Sequence, residues 1–138
     1  MMGAASLTLD GPVRKIAVFR ALFLGDLLCA TPAFRALRAR FPGAEIALIG
    51  LPWAGELVAR LPAIDRLVPF PGWGGIAEVP FDAARTATFL AGVRSEGFDL
   101  ALQMHGSGQI SNGFVAALGA RATLGYRAGP DERLTLAL

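Results

Sequence analysis

Ile16-Ala17-Val18-Phe19-Arg20-Ala21-Leu22-Phe23-Leu24-Gly25-Asp26-Leu27-Leu28-Cys29-Ala30-Thr31-Pro32 is the stretch whose reading decides the fold. Its first four residues form a continuous apolar run rich in β-formers, the pattern of a strand buried on both faces. A turn opened by Gly25 follows, then a helix whose first residue is the acid Asp26. That helix sets Leu27, Ala30, Phe34, Leu37 and Phe41 at three- and four-residue spacing, one apolar stripe with Arg35, Arg38 and Arg40 off it. Pro32 removes a backbone donor, so the helix either kinks there or restarts with Thr31 as its cap. In a parallel α/β sheet, ligands bind in the crevice beyond the carboxyl ends of the strands. Asp26 at that place is a candidate catalytic base, able when ionised to take a proton from a substrate hydroxyl. Capping of unpaired amides, helped by the helix dipole, explains the same residue without any chemistry.

Outward from this unit, strands and helices alternate. Strands are expected at Glu45–Gly50, Arg66–Phe70, Leu100–Met104 and Ala122–Tyr126. Helices are expected around Ala54–Arg60, over Phe81–Ser95 with Phe89, Leu90 and Val93 inward, and from Ser111 or Asn112 as cap to Leu118. Pro71–Pro80, with Gly72, Gly74 and Gly75, reads as a flexible loop. Trp73 within it could stack on a sugar face or pack back on the body. Residues 1–13 form an N-terminal tail, and 14–138 a Rossmann-like domain ending in a stub, Arg127–Leu138, without a complete element. This βαβ alternation requires a parallel sheet sandwiched by helices, with the expected strand order 3-2-1-4-5. The first and fourth strands are then neighbours, which puts Gly25-Asp26 beside His105-Gly106-Ser107-Gly108, the exit turn of the fourth strand. Two glycines there would let backbone amides approach an anion, and the following helix start favours one. A plain turn with a satisfied histidine is the alternative.

Composition narrows the classes. The 138 residues make one domain, 54% hydrophobic and 17% charged, far from disordered composition. The formal charge is +2, with no dense basic stripe, so nucleic acid is not an expected partner. Twelve of the 13 cations are arginine, read mainly as a composition bias and only weakly as a preference for anionic ligands. Cys29, the single cysteine, excludes an intramolecular disulfide, points to a reducing compartment, and is expected to be a buried, inert thiol. No signal peptide and no apolar run of about 20 residues appear, so a cytoplasmic protein without a membrane span is expected. One histidine and one cysteine leave too few ligands for a metal site. The three-glycine dinucleotide fingerprint and the Walker lysine are missing, which disfavours a nicotinamide enzyme, and no serine–histidine–acid set can be argued; no cofactor is expected.

Three blocks, in order, resemble glycosyltransferase family 9, the lipopolysaccharide heptosyltransferases. They are Gly25-Asp26-Leu27-Leu28-Cys29-Ala30-Thr31-Pro32 continuing to Arg38; Phe41-Pro42-Gly43-Ala44-Glu45-Ile46 with Ile49-Gly50-Leu51-Pro52-Trp53; and Phe98-Asp99-Leu100 through Gln103-Met104-His105-Gly106-Ser107-Gly108, Ser111-Asn112 and Leu118-Gly119-Ala120-Arg121. The resemblance implies the N-terminal half of a GT-B fold, two Rossmann-like domains facing across a cleft. It implies an inverting transfer of heptose from ADP-heptose to the lipid A–core acceptor, without an obligatory metal, with Asp26 as the base. Arg20 would contact the anionic acceptor, or be an ordinary solvated arginine, and Gly25 with the His105–Gly108 turn would line the substrate site. Family members are more than twice as long, with most of the nucleotide-sugar site in a C-terminal domain. The chain is therefore expected to be an acceptor-side fragment, inactive alone, with possible peripheral inner-membrane contact. An exposed sheet edge at Ala122–Tyr126 would invite self-association. A non-catalytic anion-binding module and a GT-B enzyme using another sugar nucleotide remain the alternatives.

Overall fold

A computed structural model describes residues 9–127 and 130–137. Six parallel strands form one sheet: β1 (Lys15–Phe19), β2 (Glu45–Gly50), β3 (Arg66–Pro69), β4 (Leu100–Gln103), β5 (Ala122–Gly125) and β6 (Leu136–Ala137), in the order β3-β2-β1-β4-β5-β6. The helices are α1 (Leu24–Arg40), α2 (Gly55–Val58) after a 3₁₀ turn at Pro52–Ala54, α3 (Ala83–Glu96) and α4 (Ser111–Ala117). The predicted order 3-2-1-4-5 is the observed one, extended by β6. The first and fourth strands are paired, Phe19 against Gln103 at their carboxyl ends.

The pleat explains why the strand sequences are apolar without alternation. Ile16, Val18, Ile46, Leu48, Leu100 and Ala122 face one layer, where Leu27, Ala30 and Phe34 of α1 pack. Ala17, Phe19, Ala47, Ile49 and Ala101 face the other, with Val93 of α3 and Phe114 and Val115 of α4. The inner strands β1, β2 and β4 are covered on both sides, so neither parity tolerates a polar series there. The α1 stripe is as predicted, with Leu37 and Phe41 partly buried at its end. Phe89 and Leu90 of α3 also pack inward.

Two aspartates brace the amino ends of the strands in the same way. Asp99 Oδ2 accepts the backbone N–H of Arg14 (2.8 Å) and Lys15 (3.0 Å), while its own N–H donates to Lys15 O (2.8 Å). Asp65 Oδ2 accepts from Ile46 N (2.7 Å), and its N–H donates to Ile46 O (2.9 Å). An arginine closes each brace: Arg121 Nε on Asp99 (2.9 Å) and Arg38 Nη2 on Asp65 (2.6 Å). Burial raises the pKa of both carboxyls, but the backbone donors and the arginines outweigh it and hold both below the usual range. Arg121 also donates to the carbonyls of Asp10 and Pro12, and Leu9 and Val13 pack on the core. Residues 9–13 are thus docked, not a free tail; residues 1–8 lie outside the described part.

Several expectations need correction. Cys29 is exposed, because it sits about 200° around the helix from the buried Leu27. Helix α1 runs through Pro32 without restarting: Thr31 Oγ donates to Leu28 O (2.8 Å), the carbonyl that Pro32, lacking an N–H, leaves unpaired. Neither Ser111 nor Asn112 caps α4; Ile110 is the N-cap, and both polar side chains are buried. The stub contains β6, which pairs with β5 (Leu124 with Leu136, Gly125 with Ala137). The outer edge of β5 is therefore occupied, which removes the premise of self-association through Ala122–Tyr126. Trp73 packs on Phe114, ring centroids 5.5 Å apart, the bland of its two readings.

The Asp99 brace joins β1, β4 and the start of β5 through charge-assisted bonds. Asp99→Asn should lower the unfolding free energy by about 2 kcal/mol in urea titrations at pH 7. An unchanged midpoint would show that the brace is dispensable.

Candidate functional site

The crevice lies where β1 and β4 end side by side. Beyond Phe19, the chain turns through Arg20 and Ala21; beyond Gln103, through Met104 and His105. The two exits are stitched together. Ala21 N donates to His105 Nδ1 (3.2 Å), and the imidazole stacks on the Phe19 ring (centroids 4.8 Å, planes 19° apart). Arg20 bridges the same gap, donating from Nη1 to Met104 O (2.5 Å) and from Nε to Asp26 O (2.9 Å).

Asp26 occupies the third position of α1, two residues later in the first turn than expected, since the helix begins at Leu24 with Phe23 as its N-cap. Its side chain is exposed and makes no capping hydrogen bond. The capping explanation therefore lacks its contact, and only the dipole part of it remains. Gly25 is helical rather than a turn opener, and a Cβ there would meet nothing within 4 Å. Steric need within this chain does not account for the glycine.

His105 is 8% exposed. Because Nδ1 accepts a backbone N–H, the neutral ring carries its proton on Nε2, and Nε2 faces Glu78 Oε2 at 3.8 Å. Burial is the largest influence on the ring and pushes its pKa below 6.5; the charge of Arg20 adds to this, while those of Glu78 and Asp26 oppose it. Below His105, Gln103 is 2% exposed and Asn112 fully buried. Gln103 Oε1 accepts the N–H of His105, and its Nε2 donates to Asn112 Oδ1 (3.0 Å). Asn112 Nδ2 donates to Tyr126 O (2.8 Å) and to Asp131 Oδ2 (2.9 Å). Arg133, bonded to Asp131, together with Asn112 holds that carboxyl well below the usual range. Ser111 Oγ donates to His105 O (2.6 Å).

The turn itself divides. Gly106 and Ser107 are exposed, whereas Gly108 is buried with φ +91°, and a Cβ on it would collide with Tyr126 O and the Asn112 amide. Gly108 thus serves packing against the β5 exit. A cleft of about 310 Å³ runs between this turn and the loop residues Gly75–Glu78. The cleft brings together His105, Gly106, Ser107 and Gly108; Arg20, Gly25 and Asp26 stand beside it, not in its lining. The expected anion site meets a carboxylate, Glu78, on the opposite wall. Glu78, Gln103, Asn112 and Asp131 were not singled out as site residues from the sequence. A glutamine inside the otherwise apolar run Leu100–Met104 was the available signal, since a buried amide needs partners. Among the described residues, no group of three potential metal ligands is present, and no helix is long and apolar enough to cross a membrane.

His105, the only histidine, has its pKa lowered in the folded chain, so the unfolded chain binds more protons just below pH 6.5. Stability should be fully present above pH 6.5 and fall as the pH drops from there towards 5. The three aspartates with lowered pKa act at lower pH. Urea midpoints between pH 7.5 and 5 should therefore decline in the wild type and stay nearly level in His105→Gln. An equal decline in both would assign the slope elsewhere.

No family model matches the chain. Lipopolysaccharide heptosyltransferase 2 of Salmonella typhimurium is 31% identical over 65 residues, which are 47% of this chain and 19% of that protein. The Escherichia coli protein of the same name matches equally. Among solved structures, a glycosyltransferase family 9 protein from Veillonella parvula superposes with a TM-score of 0.70 at 16% identity, covering 96% of this chain and 38% of that one. E. coli ADP-heptose LPS heptosyltransferase II gives 0.63 at 18% identity, covering 82% and 30%. The chain thus spans well under half the length of the proteins it matches. Over those 65 residues the chain is similar in sequence to lipopolysaccharide heptosyltransferase 2, and its sheet has the fold of the glycosyltransferase family 9 structures.

Proposed function

We propose that these residues are the acceptor-side part of an inverting glycosyltransferase that moves heptose from ADP-heptose to a sugar hydroxyl of the lipopolysaccharide core. The observation that carries this reading is Asp26: an exposed carboxylate without a capping bond, at the carboxyl edge of the sheet, in a chain that matches heptosyltransferases. In the step, the acceptor oxygen attacks the anomeric carbon opposite the diphosphate and its proton passes to the Asp26 carboxylate. The carbon–oxygen bond to the diphosphate breaks, and ADP leaves with that electron pair. One direct displacement inverts the anomeric centre, and a single positioned base suffices on this side.

Arg20 supports the step by holding the first turn of α1 against the β4 exit through Asp26 O and Met104 O. Two of its nitrogens are thus engaged by backbone, and its remaining donors are left for an anionic acceptor. Open space over Gly25 leaves room for the acceptor beside the base. In this reading the work is done in the cytoplasm, at the inner face of the membrane that presents the acceptor, and uses no cofactor or metal. The donor is delivered by a nucleotide-sugar domain, so the 138 residues alone turn over negligibly.

Joining this chain to the donor-binding domain of E. coli heptosyltransferase II gives the test. Asp26→Asn in that enzyme should lower kcat by about 100-fold or more while leaving the acceptor KM within about threefold. Unchanged turnover would reduce Asp26 to a dipole partner of α1.

A further inference from the structure

We propose that Glu78 and His105 form a subsite for the hydroxyl groups of a neutral sugar, in the cleft between the Gly75–Glu78 loop and the β4–α4 turn. The inference rests on the transferase reading for its ligand class, and on the cleft's own geometry for its chemistry. His105 is more than nine-tenths buried, yet its Nε2 faces the cleft, 3.8 Å from Glu78 Oε2, too far for a hydrogen bond between them. The ring cannot swing away. Nδ1 is engaged by Ala21 N, and one face lies on Phe19. The cleft wall therefore presents one fixed N–H donor and, facing it, a carboxylate that only accepts. A hydroxyl both donates and accepts, so one hydroxyl, or a vicinal pair, satisfies both groups at once.

Charge decides between this ligand and the anion expected of a glycine turn. A phosphate in the cleft would face Glu78 across a few ångströms, while the imidazole opposite it is neutral because burial lowers its pKa. Helix α4 has only the seven residues Ser111–Ala117, so its start offers little to offset that repulsion. A neutral polyol meets no such conflict. Ser107, exposed at the cleft rim, adds one hydroxyl that both donates and accepts.

Because His105 is the only histidine, its ring signals in nitrogen-15 NMR identify themselves. The 138-residue chain is titrated with a methyl heptoside and, separately, with inorganic phosphate. A saturable shift of the His105 ring resonances with the heptoside, in the millimolar range, and none with phosphate at equal concentration is the expected result. Glu78→Ala should weaken heptoside binding about tenfold, and Glu78→Gln, which keeps an acceptor oxygen, by less than about threefold. The His105 ring shift in the free variants reports that the fold is retained, since Glu78 is a half-buried loop residue. A response to phosphate without one to the heptoside, or equal heptoside binding by Glu78→Ala, overturns the subsite. Turnover in Asp26→Asn reports on the transferase reading alone, so the two failures are distinguishable.

Discussion

The contact between His105 and the exit of β1 is the constraint on which the site depends. A parallel sheet brings the carboxyl ends of β1 and β4 together but does not fix the loops beyond them. Here the imidazole does so, lying on Phe19 and taking the N–H of Ala21. Arg20 reinforces the join from the solvent side. The position of α1's first turn, and with it Asp26, follows from these contacts. A free Asp26 carboxylate on a loosely tethered turn would be a poor base, since general base catalysis requires placement within hydrogen-bond reach of one hydroxyl.

The backbone of His105 is held from below by polar groups: Gln103 Oε1 accepts its N–H and Ser111 Oγ donates to its carbonyl. Gln103, Asn112, Asp131 and Arg133 form a continuous chain of hydrogen bonds from the centre of the sheet to the segment that leads into β6. Leaving the buried amide of Gln103 or Asn112 unpaired costs roughly 1–3 kcal/mol, so the network favours a single arrangement of the turn. Gly108 is part of the same constraint, because its position leaves no room for a side chain between Tyr126 O and Asn112. The segment beyond β5 is thus coupled to the site through Asn112, although it contributes no residue to the cleft.

Much of this was legible from pattern. Apolar runs such as Ile16–Phe19 and Ile46–Ile49 can only be strands covered on both faces, and the spacing of Leu27, Ala30 and Phe34 named the buried side of α1. Adjacency of the Asp26 and His105 turns followed from topology alone. Side-chain partnership was not legible. Glu78 reaches His105 from a loop whose path is set by Gly72, Pro80 and the docking of Thr86 on Gly72 O, none of which is periodic. The exposure of Cys29 was available from the helical angle to Leu27. The pairing of β6 was not, because two residues carry no period.

We propose that Asp26 meets the acceptor hydroxyl. A crystal structure of this chain with a heptose-bearing core saccharide bound tests it most directly. An acceptor hydroxyl about 2.6–3.2 Å from an Asp26 carboxylate oxygen, with Arg20 still on Met104 O, is the expected result. A saccharide seated elsewhere, with Asp26 turned to solvent, would contradict it.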